Sequence, residues 1–311
     1  MATPIPDDIA LLSGPPLLGH LFNYGLFGIL SAQVVHYHLS FSSDPFRLKA
    51  FIYGLYLVEW VQVILITHDA FQVYGAGWGN FAALNSPQWL WFDIPVMTAL
   101  VSATVQCFFA WRIYALSGSR IISVFVVLVA LMQAGGGVAT GIQVGPLLNN
   151  NALIQQTAET GLIIWLGGSA ACDIIIACSM SFLLLRQRRG LASDKLLSRI
   201  ITLSVETGIV TASFATLDLT LCMVFKHNNL HMLPAFMLSK LYTNSLMLTF
   251  NNRTRLRGDR NEAQVVRSDG TWGATSSSRA RAGAAPQEIS LPKLPMDLCK
   301  PPRVTGDFES V

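Results

Sequence analysis

Lys240 is the side chain whose position asks first for a chemical explanation. It lies close to the centre of an apolar stretch from His231 to Phe250. At about 1.5 Å of rise per helical residue, that places its ammonium near the middle of a bilayer. A charge at that depth costs at least about 3 kcal/mol on insertion scales, so it must face the inside of a helix bundle and meet a partner. Four acids inside other apolar stretches are the candidates: Glu59, Asp173, Glu206 and Asp218. Depth along the stretches matches Glu59 and Asp173 best to Lys240. Glu206 falls nearer the basic side of the membrane and Asp218 nearer the other.

Such a set has a small repertoire. The simplest is a structural ion pair with the spare carboxylates neutralised, and the next is a ligand or proton pathway. A lysine in a last, seventh helix also raises a retinal Schiff base, which needs a desolvated amine and a carboxylate counter-ion. The acid available for that is Asp93, and its surroundings, Trp89 to Pro95, do not look like the counter-ion segment of microbial rhodopsins. His20, His68, His227 and His231, with Asp69 and Asp93, are a further set that could gather at one face and hold a metal. No HExxH or paired ligand spacing accompanies them, and interfacial histidines are the commoner arrangement. No catalytic residue, metal ligand or cofactor is assigned, and a non-enzyme is expected.

The elements that must position these groups follow from composition and punctuation. With 52% hydrophobic residues, 13% charged and a mean hydropathy of +0.46, the chain is too apolar for an ordinary soluble protein. The predicted class is an all-α polytopic membrane protein. Pro15 and Pro16 suit a first helical turn and open a span to about Leu39. Further spans are expected at about Arg47–His68, Gln88–Arg112, Ile121–Ile142, Thr160–Leu185, Ile200–Phe225 and His231–Phe250. The Gly and Asn residues between Gly75 and Asn85 mark one long loop, and Ser117 to Arg120 mark a short turn. Gly135, Gly136 and Gly137 would permit close helix approach. From Asn251 the composition is too poor in large apolar residues to fold alone. The predicted organisation is a short N-terminus (1–14), a seven-helix domain (15–250) and a disordered tail (251–311).

The distribution of charge tests the count. Arg47 and Lys49, Arg112 and Arg120, the basic run from Arg186 to Arg199, and Arg253 to Arg260 all fall on one side of a seven-span chain. Only Lys226 is basic in the opposite loops. The positive-inside rule then places the N-terminus outside and the C-terminus in the cytoplasm. Asp7 and Asp8 precede the first span with no Lys or Arg, so insertion by that span, without a cleaved signal peptide, is expected. Asn252-Arg253-Thr254 then lies on the wrong side to be glycosylated. The five cysteines fall in spans or the tail, and no disulfide framework is expected. No inverted repeat of the kind found in secondary transporters is evident.

The segment from Lys240 through Leu241, Tyr242, Asn244, Ser245 and Asn251 to Arg253 resembles the closing signature of a fungal seven-helix membrane family, domain of unknown function 6534. The resemblance extends more loosely to the Gly14-Pro15 step, to Gln106–Tyr114 and to the Asp173 segment, covering about residues 14 to 253. Thr243 and Phe250 stand where Ser and Leu are the usual forms. The resemblance implies fungal origin and a membrane location and supplies no activity. Against a rhodopsin-like receptor, the third span ends in Trp-Arg-Ile-Tyr and the last has no Asn-Pro-x-x-Tyr. A receptor- or sensor-like membrane protein is expected first, and a small-solute or proton-coupled transporter second. The expected partners are the bilayer, probed through anionic lipid, and a cytosolic protein meeting the basic loop 186–199 and the tail. No nucleic acid is expected.

Overall fold

The computed structural model describes residues 9–78, 89–144, 160–188, 195–225 and 228–269. Among the described residues the fold is all-helical, with no strand. By its contacts the chain divides into Met1–Asp259 and Arg260–Val311, and the bundle belongs to the first unit. The expected loop 79–88, most of 143–159, the basic stretch 189–194, Lys226 and His227, and the tail beyond 269 lie outside the described residues.

Helix α1 is Ile9–Ser40, and it begins earlier than Pro15. Both prolines are inside it and buried, not in its first turn. An interior proline leaves the carbonyl four residues back without its donor, and in an apolar medium that carbonyl needs another. The Leu12 carbonyl, opposite Pro16, accepts from Asn229 Nδ2 at 2.8 Å, and the Ser13 carbonyl accepts from the Tyr74 hydroxyl at 2.8 Å. A side chain from elsewhere in the chain thus takes up the carbonyl that Pro16 frees, while the Tyr74 bond ties the same turn of α1 to the end of α2.

Helix α2, Phe46–Phe71, follows extended Pro45 and ends in a π-helical turn, Gln72–Ala76. Helix α3, Thr98–Ser117, is entered through Leu90–Phe92 and a π-helical turn, Asp93–Met97, that contains Pro95. It closes on Gly118 at φ 68°, the left-handed position that a terminating glycine takes without strain. Helix α4 is Arg120–Val144, and helix α5, Gly168–Arg188, is entered through a third π-helical turn, Ile163–Gly167. Helix α6 is Lys195–Val224 and helix α7 is Met232–Asp269. The last helix therefore runs well past Phe250, and part of the segment expected to be disordered is helical.

Six of these helices are long and apolar enough to cross a membrane. α7 falls short because of the polar residues in its middle. Between residues 231 and 252, however, only Leu248 is exposed, so protein surrounds those residues on nearly every side. α1 and α7 are joined by side-chain amides. Asn23 Nδ2 reaches the Phe236 carbonyl at 2.6 Å, Asn244 Nδ2 the Leu26 carbonyl at 3.1 Å, and Asn251 Nδ2 the Gln33 carbonyl at 2.8 Å. Residue numbers rise together along both helices, so the two run in the same direction.

Two polar networks on one buried helix

Lys240 and Glu59 form a fully buried ion pair between α7 and α2. The Glu59 carboxylate also accepts from the hydroxyls of Ser239, at 2.9 Å, and of Thr243. The ammonium donates a second bond to Gln62 Oε1 at 2.8 Å and lies 5.9 Å from the centroid of the Phe27 ring, within cation–π range. Glu59 and Gln62 are three residues apart and share one face of α2. Excluding water costs a charged pair its solvation, and such a pair persists when further hydrogen bonds meet its remaining donors and lone pairs. Here the hydroxyls and the amide supply those bonds.

Asp173 of α5 belongs to a different network. Its Oδ1 accepts from Gln106 Nε2 at 2.9 Å, and its Oδ2 accepts from Thr211 at 2.6 Å and Tyr242 at 2.7 Å. The Tyr242 hydroxyl also meets Ser169 at 2.7 Å, and Gln106 is tied through Gln133 to Ser102. Helices α3, α4, α5, α6 and α7 all contribute. A water-sized cavity adjoins the carboxylate, lined by Gln106, Ser204, Thr207, Thr211 and Tyr242 among others. At its far side the Ser204 hydroxyl accepts from Arg112 Nη1 at 3.1 Å.

Of the acids proposed from depth, the structure thus brings Glu59 to Lys240 and leads Asp173 elsewhere. Asp218 is buried on α6, seven positions beyond Thr211 on the same stripe, and bonds to neither network among the described residues. Glu206 is corrected outright, because it is exposed and outside both networks. At roughly 100° per residue it projects about 200° away from buried Ser204. Depth placed it among the candidates, and helical phase removes it.

The resembling signature is divided between tasks. Lys240 and Tyr242 serve the two networks, while Asn244 and Asn251 clasp α1. Leu241 and Ser245 are half-buried, and the Arg253 side chain is outside the described residues. Sequence reasoning missed Gln62, Gln106, Thr211, Ser239 and Thr243. Hydroxyls in apolar helices usually return a bond to their own backbone one turn earlier, as Ser31, Thr104 and Thr216 do here, so residue type alone gives no signal. The spacing of Glu59 and Gln62 was a usable signal.

The histidine set does not assemble. Among the described residues no three His, Cys, Asp or Glu side chains could hold a metal ion. His20 packs edge-on against Phe236 at 4.5 Å and Tyr74 at 6.0 Å, and His68 lies 3.3 Å from Asp69. His227 is outside the described residues. Among the described residues, Cys107, Cys172, Cys178 and Cys222 take part in no disulfide.

No curated protein and no solved structure matches the chain. Residues 169–255, which hold Asp173, Thr211, Lys240 and Tyr242 but not Glu59, match the family of unknown function DUF6534.

Proposed function

We propose that the chain is a seven-helix membrane protein of receptor or sensor type, with its N-terminus outside, its tail in the cytoplasm and α7 as the moving part. The carrying observation is that Lys240 and Tyr242, two positions apart on α7, each bond a buried carboxylate on a different helix. A shift or rotation of α7 would break both contacts together. Packed elements with two discrete arrangements are what switching proteins use. The parallel course of α1 and α7 supports an odd number of spans, since successive spans alternate in direction. The basic residues near the same ends support a cytoplasmic face that meets anionic lipid and a cytosolic protein. A plasma-membrane setting and fungal origin complete the reading.

The second reading is a proton-coupled or small-solute transporter, favoured by the hydroxyl-lined cavity beside Asp173. Reconstitution of the purified full chain into liposomes separates the two. The sensor reading expects no proton or solute flux above protein-free vesicles. Reproducible flux that is lost in Glu59→Gln or Asp173→Asn would replace it with the transporter.

A further inference from the structure

Asp93 is 1% exposed, and neither of its carboxyl oxygens has a hydrogen-bond partner among the described residues. The other buried acids around it are met. Glu59 takes the ammonium of Lys240 and two hydroxyls, and Asp69 accepts from the Trp89 amide at 2.9 Å and lies beside His68. The charged groups that face the Asp93 carboxyl are Lys240 from α7, Glu59 from α2 and Asp69 from the far end of α2. Gln62 connects Asp93 to the ion pair. Its Oε1 accepts from Lys240, while its Nε2 reaches the Asp93 backbone carbonyl at 3.4 Å and the Thr98 hydroxyl at 3.3 Å.

Charge within this cluster does not balance. One ammonium serves two carboxyl groups, and Glu59 already holds it. A carboxylate left alone without solvent is strongly disfavoured, and it accepts either a proton or a cation. A divalent metal does not suit the place, because among the described residues no three His, Cys, Asp or Glu side chains are arranged to hold one. We propose that Asp93 is an exchangeable site for one monovalent cation, a proton or an alkali ion, that completes the Glu59–Lys240 cluster. The site stands whether the chain signals or transports.

The test is the melting temperature of the purified full chain in detergent, in two arms at constant ionic strength. In the first, with N-methylglucamine as the only buffer cation, pH is raised from about 6 to about 9. A proton held by the native state and released on unfolding makes stability fall as pH rises. In the second, at the upper pH, sodium or potassium replaces N-methylglucamine, and an alkali ion bound only by the native state raises the melting temperature. The expected result is a shift of a few degrees in one arm that is clearly smaller in Asp93→Asn, the remainder coming from other buried acids such as Asp173 and Asp218, and that is kept in full in the exposed control Glu206→Gln. The proposal is overturned if the parent is indifferent in both arms, or if the dependence is as large in Asp93→Asn as in the parent. Should Asp93→Asn not fold, infrared difference spectra across the effective arm decide with Asp93→Glu. A carboxyl band that moves between parent and Asp93→Glu supports the site, and an unmoved band removes it.

Discussion

Replacing Lys240 by methionine strands the Glu59 carboxylate, and replacing Glu59 by glutamine strands the ammonium, both at positions with no exposed surface. Breaking one side of a buried pair typically costs about 3 to 5 kcal/mol, whereas removing both sides can be nearly neutral. Lys240→Met and Glu59→Gln should therefore each lower the melting temperature in detergent, and the double variant should recover much of the loss. Lys240→Met combined with Asp173→Asn should be close to additive, because the two residues bond different partners. A cycle that couples Lys240 to Asp173 instead would contradict the geometry. Depth was readable from the amino-acid sequence, since span limits and helical rise give it directly. Azimuth was not. Asp173 matches Lys240 in depth yet bonds Tyr242, and the Glu206 side chain points away from the bundle, because each span's inward face is set by helices distant in sequence.

Close approach of helices rests on particular glycines, and the run Gly135-Gly136-Gly137 separates them cleanly. A methyl group on Gly137 would collide with Ala99 and lie 2.8 Å from the Pro95 carbonyl, while one on Gly136 would lie 2.9 Å from the Trp165 amide. On Gly135 it would meet nothing within 4 Å. Gly135→Ala should thus leave stability unchanged or raise it by up to about 1 kcal/mol through helix propensity. Gly137→Ala should lower it, by about 1 to 3 kcal/mol for overpacking that backbone must absorb. Thermal melts of the two variants side by side decide this. The run of small residues was legible as a contact, but which of the three makes it was not. The π-helical turns of α3 and α5 fall against this face of α4, and only Pro95 in the first of them was a signal. The start of α1 was misplaced for a related reason. A proline pair reads as a helix opening until the distant donor Asn229, which meets the carbonyl that Pro16 frees, is known.

At the scale of the whole molecule, the seven-span topology of the proposed reading draws on two separate observations. The excess of Lys and Arg in alternate connections argues for seven spans with the tail inside. The parallel hydrogen bonding of α1 and α7 argues for an odd count without using charge at all. Hydropathy alone stops at six, because Lys240, Thr243 and Asn244 lower the apolarity of a helix that protein, not lipid, surrounds. A six-span chain would place its two ends on the same side of the membrane, and a seven-span chain on opposite sides. Glycosylation acceptors placed in the Ala76 to Ser86 connection and, separately, in the Ser268 to Ser278 tail distinguish the cases. Only an acceptor in the lumen or outside is modified, so the first should shift on a gel and the second should not. Modification of both, or of the tail alone, would overturn the seven-span, tail-inside arrangement. With it would go the assignment of the basic stretches to a cytoplasmic partner.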